Sequence, residues 1–99
     1  MPISITERDL HSHIRARMRQ RGVTFEEIIQ TLEKGWPASK AKPGTFGKTF
    51  VFPYQREWEG RYFEEKEVTV YYKMVMGKPI LLTVIARYGS GFPKRVQEG

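Results

Sequence analysis

The stretch that decides the fold is "EVTVYYKMVMGKPILLTVIARY", residues 67–88. Two β-rich runs, 67–76 and 79–88, flank Gly77-Lys78, the strongest hairpin signal in the chain. In the second run Ile80, Leu82, Val84 and Ala86 make a uniformly apolar row, with Leu81, Thr83, Ile85 and Arg87 opposite. In the first, Val68, Val70, Tyr72 and Met74 are the greasier row, and Thr69, Tyr71 and Lys73 lie opposite. If the greasy rows share a face, Tyr71, Lys73, Thr83 and Arg87 share the other. That alignment sets Lys73 across from Thr83 and needs a three-residue connection, Gly77-Lys78-Pro79. A strict two-residue Gly77-Lys78 turn would set Tyr72 against Thr83 instead. Burial is the better guide, because a one-step slip exposes a whole apolar row while a bulge costs little.

Upstream, "TFVFPY" (49–54) reads as a short strand ended by Pro53, which suits a sheet edge. "QREWEGRYFEE" (55–65) reads as a polar turn region, and 36–48, rich in Gly, Pro, Ser and Lys, as a loop. The first part of the chain is helical. Thr6 offers an N-cap with Asp9 three residues on, and from Glu7 the apolar Leu10, Ile14 and Met18 recur every fourth residue until Gly22 closes the helix. Thr24 caps a second helix with Glu27 at the capping-box offset. Phe25, Ile28, Ile29 and Leu32 form its apolar face, and Gly35 ends it. The expectation is a single α+β domain spanning 1–99: a helical hairpin (6–35), a loop (36–48), a three- to four-stranded antiparallel β-meander (49–89) and a mobile tail (93–99).

Composition narrows function by exclusion. Seventeen Lys+Arg against 11 Asp+Glu give a formal charge of +6, which favours a polyanionic partner without choosing between nucleic acid, an acidic protein and an anionic membrane. The chain has no cysteine, so thiol catalysis, disulfides and zinc–thiolate sites are excluded. No apolar run approaches the roughly 20 residues of a bilayer span. The opening residues lack a signal peptide's basic and greasy halves. A cytoplasmic protein without a membrane partner is the expectation. His11 and His13 point to different helix sides with no carboxylate cluster beside them, so no metal site is expected. The glycines form no phosphate-binding signature, and no small-molecule cofactor is expected.

"HIRARMRQRG" (13–22) crowds four arginines and a histidine beside the core. His13, Arg17 and Arg21 fall at i, i+4 and i+8, one step round from the apolar stripe, where they would line the lip of the core. Arg15 and Arg19 look outward, and His11 reads as surface. His13 has the one well-placed ordinary pKa near 6.5, which suits a proton carrier. Its bland alternative is a helix histidine bonded to a backbone carbonyl. Arg17, Arg21 and Arg87 can clamp phosphate bidentately, or pair with the helix carboxylates. Tyr71 or Tyr88 can donate a hydrogen bond or stack a base. Lys40, Lys42 and Lys48 either contact phosphate or merely solubilise the loop, while threonine at 83 is comfortable in any strand.

The segment from Ser4 to Gly35 resembles small bacterial domains with the pattern H-x-x-x-R-M-x-x-R-G-[IV]-[ST]. It is met here by His13, Arg17-Met18 and Arg21-Gly22-Val23-Thr24, followed by Ile28, Leu32, Gly35 and the strand Leu82-Thr83-Val84-Ile85. Those domains are grouped with the BrnT and RelE toxins among barnase/colicin/RelE-like RNA-cleaving folds. The resemblance covers the helical hairpin closely, the sheet loosely and 36–66 hardly at all. It implies a RelE-like fold and a toxin-like ribonuclease that cleaves RNA without metal on a basic open sheet face. His13, Arg17, Arg87 and Tyr88 would then be catalytic, and Arg21, Lys73, Tyr71, Thr83, Lys40, Lys42 and Lys48 would bind RNA. An acidic or amphipathic antitoxin is the implied protein partner. The chain departs from a two-residue acid–base pattern in lacking a second histidine near its C-terminus. The alternative is a non-catalytic module that binds nucleic acid or an acidic protein. Both readings need the cationic edge of the first helix and the bare side of the meander to face one cleft.

Overall fold

The computed structural model describes residues 5–94. Two helices, α1 (Ser12–Arg21) and α2 (Phe25–Lys34), precede a four-stranded antiparallel sheet. Its strands are β1 (Trp36–Pro37), β2 (Phe46–Trp58), β3 (Arg61–Val75) and β4 (Lys78–Gly89), hydrogen-bonded in sequence order. The α+β architecture and the helical hairpin ahead of a meander are as the sequence led us to expect. Both helices pack on one face of the sheet, α1 along β4 and α2 across β2 and β3. The core between them is Leu10, Ile14, Val23, Ile28 and Leu32 against Val68, Val70, Tyr72, Leu81 and Val84.

Helix α1 begins later than its apolar spacing suggests. Glu7–Asp9 forms a separate 3₁₀ turn, in which the Asp9 carboxylate accepts the Thr6 N–H at 2.7 Å. The chain then runs extended through Leu10 and His11. His11 caps α1, its Nδ1 accepting from the Ile14 amide. Gly22 closes α1 in the left-handed conformation, φ +71°. The Thr24–Glu27 capping box of α2 forms with both of its hydrogen bonds.

The strands are longer than sequence punctuation indicated. The expected loop at 36–48 contains β1 and the first three residues of β2, and the supposed turn region at 55–65 is the far end of β2 and the start of β3. Pro53 continues β2 rather than ending it. Strand β1 pairs only at Thr49 and Lys48, so at Pro53 β2 is already a sheet edge where a missing N–H breaks no ladder. A register shift between Pro53 and Arg56, with Gln55 at φ 53°, absorbs the remaining irregularity.

The β3–β4 register also differs from both sequence alternatives. Tyr71 lies opposite Thr83, not Lys73, and the two-residue turn is Met76-Gly77, with φ values of 51° and 82°. A bulge at Leu82 joins the two halves, since Tyr72 lies opposite Leu81. It turns Leu81 into the core and leaves Ile80 exposed, so the inward row of β4 is Leu81, Val84 and Ala86 rather than Ile80, Leu82, Val84 and Ala86. Met74, expected in the greasy row, is also exposed. Beyond β4, Phe92 and Lys94 are tied back to Glu65. Of the tail expected to be mobile over 93–99, Lys94 is thus held, and residues 95–99 lie outside the described residues.

Candidate functional site

Helices leave one face of the sheet uncovered, and that face is hollowed into a trough. Its floor is Thr49, Glu67, Thr69, Tyr71, Thr83 and Ile85, which the register places on one side by strict alternation. A hollow of about 560 Å³ lies between residues 36–40 on one flank and Arg87 with Pro93 on the other. A second, of about 320 Å³, is lined by Lys40, Lys42, Thr45, Tyr71, Leu82 and Thr83. Lys40 and Tyr71 line both, so the two form one continuous groove.

Tyr71 has room because Gly47 lies opposite it. A Cβ on Gly47 would stand 2.8 Å from the tyrosine ring and 2.8 Å from the Ala38 Cβ. The ring therefore lies over bare backbone, a flat aromatic platform part-exposed to the trough. The Thr49 and Thr69 hydroxyls satisfy each other at 2.9 Å, as buried polar groups must. Glu67, its side chain 13% exposed, pairs with Arg87 at 3.3 Å, and that guanidinium also lies over the Phe92 ring, 5.1 Å from its centroid. The Arg87 side chain stays 66% exposed, so it can turn to another anion at little cost.

The structure thus gathers Lys40, Lys42, Tyr71, Thr83 and Arg87, but not the remaining predicted residues. Lys73 shares their face yet lies towards the hairpin tip, opposite Ile80 and away from the trough lining. Lys48 pairs with Val70, a core residue, and so belongs to the helix side. His13 is exposed on α1, and Arg17 donates to Gln20 Oε1 at 3.1 Å. Arg21 donates to the Val84 carbonyl at 2.6 Å, while the Tyr88 hydroxyl donates to the Arg21 carbonyl at 2.6 Å. Tyr88 and Arg87 are sequence neighbours in a strand and face opposite ways. The proposed catalytic set of His13, Arg17, Arg87 and Tyr88 is split by the sheet, and the common cleft expected of α1 and the open face does not form.

What the helix-side residues do instead is hold the α1–α2 turn. Lys66, 1% exposed, donates to the Gly22 carbonyl and pairs with Glu27 Oε1 at 2.7 Å. The Tyr54 and Tyr88 rings flank its ammonium, 5.4 and 5.5 Å from their centroids. Trp58 stacks on Tyr88, centroids 5.1 Å apart, and both close on Gly22, where a Cβ would lie 2.6 Å from the indole. Burial, with the nearby Tyr54, Glu27 and Glu59, pushes the Tyr88 hydroxyl well above the ordinary tyrosine range, so the phenol is a locked donor rather than a proton shuttle. The Arg21-Gly22 step of the recognised pattern is therefore structural glue in this fold.

Sequence reasoning missed Glu67, Gly47 and Lys66. Lys66 was findable: it shares parity with Val68, Val70 and Tyr72, so extending the strand backwards turns it inward. Glu67 then alternates to the trough side with Thr69 and Tyr71. Among the described residues no group of three His, Cys, Asp or Glu is placed to hold a metal ion. Among the described residues no helix is long and apolar enough to cross a membrane. Compared with family models, curated proteins and solved structures, the chain matches none.

Proposed function

We propose that the trough, with Lys40, Lys42 and Arg87 in place of the α1 arginines that the sequence reading required, binds single-stranded RNA, or a polyanion of the same form. Lys40 and Lys42 would track the phosphates, Arg87 would add a third contact, and a base would stack on Tyr71. One observation carries this reading. Two exposed lysines and an aromatic platform line a single groove, and among the described residues neither lysine has a carboxylate oxygen within 4.0 Å. Exposed cations beside a concave floor that carries an aromatic platform suit a phosphate chain with stacking bases better than a small neutral ligand. A RelE-like relationship fits this use of an open sheet face, and it rests on the motif residues alone.

A second reading, cleavage in the same trough, is favoured by the Glu67–Arg87 pair. Metal-free RNA cleavage needs a base for the 2′-hydroxyl proton and a cation for the developing phosphorane charge. Glu67 and Arg87 supply these two roles, in place of His13 and Arg17. The leaving 5′-oxygen would take its proton from solvent in the open trough.

One experiment addresses both. Fluorescently labelled single-stranded RNA is titrated with the protein at rising salt, and the same samples are run on a denaturing gel. Binding that falls steeply with salt and is lost in a Lys40→Glu/Lys42→Glu variant supports the trough. Short products that disappear with Glu67→Gln add cleavage to binding. Salt-independent or absent binding by the wild type overturns both readings.

A further inference from the structure

The β3–β4 hairpin carries a feature that the trough does not use. Past Leu81 and Tyr72 the ribbon leaves the helices behind, and apolar side chains stand exposed on both of its faces. Phe46 and Met74 are exposed on the helix-side face, Phe46 stacked on Tyr72. Ile80 and Val75 are exposed on the other face, and Met76 at the apex is 99% exposed. The turn gains nothing from that methionine. At φ 51° it occupies a left-handed position where Asn, Asp or Gly is favoured, immediately before Gly77.

The other hairpin provides an internal control. Its turn, Glu59-Gly60, has nearly the same pair of φ values, 51° and 85°, but carries a charged residue among Arg56, Glu57 and Arg61. The same backbone is thus built with ordinary surface chemistry at one end of β3 and with grease at the other. From Val68 to Ala86 the chain has no acidic residue, and its only formal charges are Lys73 and Lys78, both exposed just behind the apex.

We infer that this tip is a peripheral anchor for an anionic phospholipid surface. A tip with exposed apolar side chains on both faces, and lysines as its only charges, matches an anionic medium that surrounds it. About four residues project beyond Leu81, roughly 13 Å at strand rise. That length suits the 5–10 Å over which interfacial elements bury their apolar side chains. Lys73, level with Ile80, and Lys78, level with Val75, can each lay the stem along the acyl boundary and reach an anionic headgroup with the ammonium. The expectation of no membrane partner came from the lack of a spanning run, which says nothing about a peripheral tip.

The test is co-sedimentation of the full chain with vesicles of phosphatidylcholine alone and of phosphatidylcholine mixed with phosphatidylserine. The wild type should partition onto the mixed vesicles. Met76→Asn creates a favoured Asn-Gly turn, so the fold is preserved while the apex loses its apolar side chain. It should lower partitioning about tenfold. Lys73→Glu with Lys78→Glu should abolish the phosphatidylserine dependence, each lysine contributing about fivefold. RNA binding of the Met76→Asn protein should remain as in the wild type, whichever way the trough experiment falls. Absence of the wild type from the mixed vesicles overturns the inference, as does partitioning unchanged in Met76→Asn. Partitioning lost in Lys40→Glu/Lys42→Glu but kept in Met76→Asn also overturns it, because the trough would then be the lipid contact. Self-association abolished by Met76→Asn, without vesicle uptake, would assign the tip to a second copy instead.

Discussion

The two faces of the sheet are built from alternate residues of the same strands, yet they solve opposite problems. On the helix side, Lys66 and Tyr88 spend every polar atom on the α1–α2 turn, and Val68, Val70 and Val84 are fully buried. On the other side, Thr69 and Tyr71 form a floor above which Lys40 and Lys42 have no carboxylate partner among the described residues. The contrast teaches that charge near a core is not by itself a sign of function. Arg21 and Lys66 are cations whose partners are internal. Lys40 and Lys42 are exposed cations with no carboxylate partner among the described residues.

The sharpest way to break this division is Lys66→Ala. It leaves the Glu27 carboxylate nearly buried with no cation and only the Thr24 N–H to satisfy it, and frees the Gly22 carbonyl, so unfolding free energy should fall by about 3 kcal/mol in a urea titration. RNA affinity of the protein that stays folded should not change. Gly22→Ala comes next. The left-handed backbone and the crowding against Trp58 and Tyr88 together should cost about 2–4 kcal/mol by thermal denaturation. On the trough side, Thr69→Val leaves the Thr49 hydroxyl without its partner and should cost about 1 kcal/mol in the same assay. Lys40→Ala with Lys42→Ala should shift stability by less than about 0.5 kcal/mol. The slope of log affinity against log salt should nevertheless drop by about two units. A large stability loss there would mean that the trough, too, is internal architecture.

The smallest effect is a pH response at the end of the trough. The Lys94 ammonium, 2.5 Å away, and the Phe92 amide hold the Glu65 carboxyl below the ordinary carboxylate value. A group whose folded pKa is depressed ties its partners above the ordinary value and releases them as pH falls through the depressed one. Acid should therefore loosen the segment Phe92–Lys94 from β3. The Phe92 amide resonance, followed by NMR across the carboxylate range, should move with a midpoint below that of a free glutamate.

Much of the scaffold was legible in the residues, for local reasons. Thr24 with Glu27, and Gly22 with its lack of Cβ, act within one turn, and the capping geometry they specify is what forms. The period-2 rows of β3 and β4 announced a hairpin for the same reason. The bulge at Leu82 was hidden because it answers a long-range demand: Leu81 fills the core only if the ribbon slips by one residue past Thr83. Pro53 misled because its meaning depends on how short β1 is, a fact settled by Trp36 and Pro37 far upstream. For the site, periodicity correctly grouped Tyr71, Thr83 and Arg87 on one face. Helix spacing alone placed His13, Arg17 and Arg21 beside the core, but it could not say on which side of the sheet that lip would lie.

One further consequence follows from the way α1 lies along β4. An outer strand ordinarily offers a ladder of free carbonyls to any passing chain. Here the His11 Nε2, carrying the ring proton because Nδ1 accepts, donates to the Leu81 carbonyl at 2.9 Å, and Arg21 donates to that of Val84. The helix thereby stands in for a fifth strand through two side chains, while Pro53 interrupts the opposite margin. Growth of the sheet into fibrils is obstructed at both borders, and removing the imidazole or the guanidinium would reopen the first.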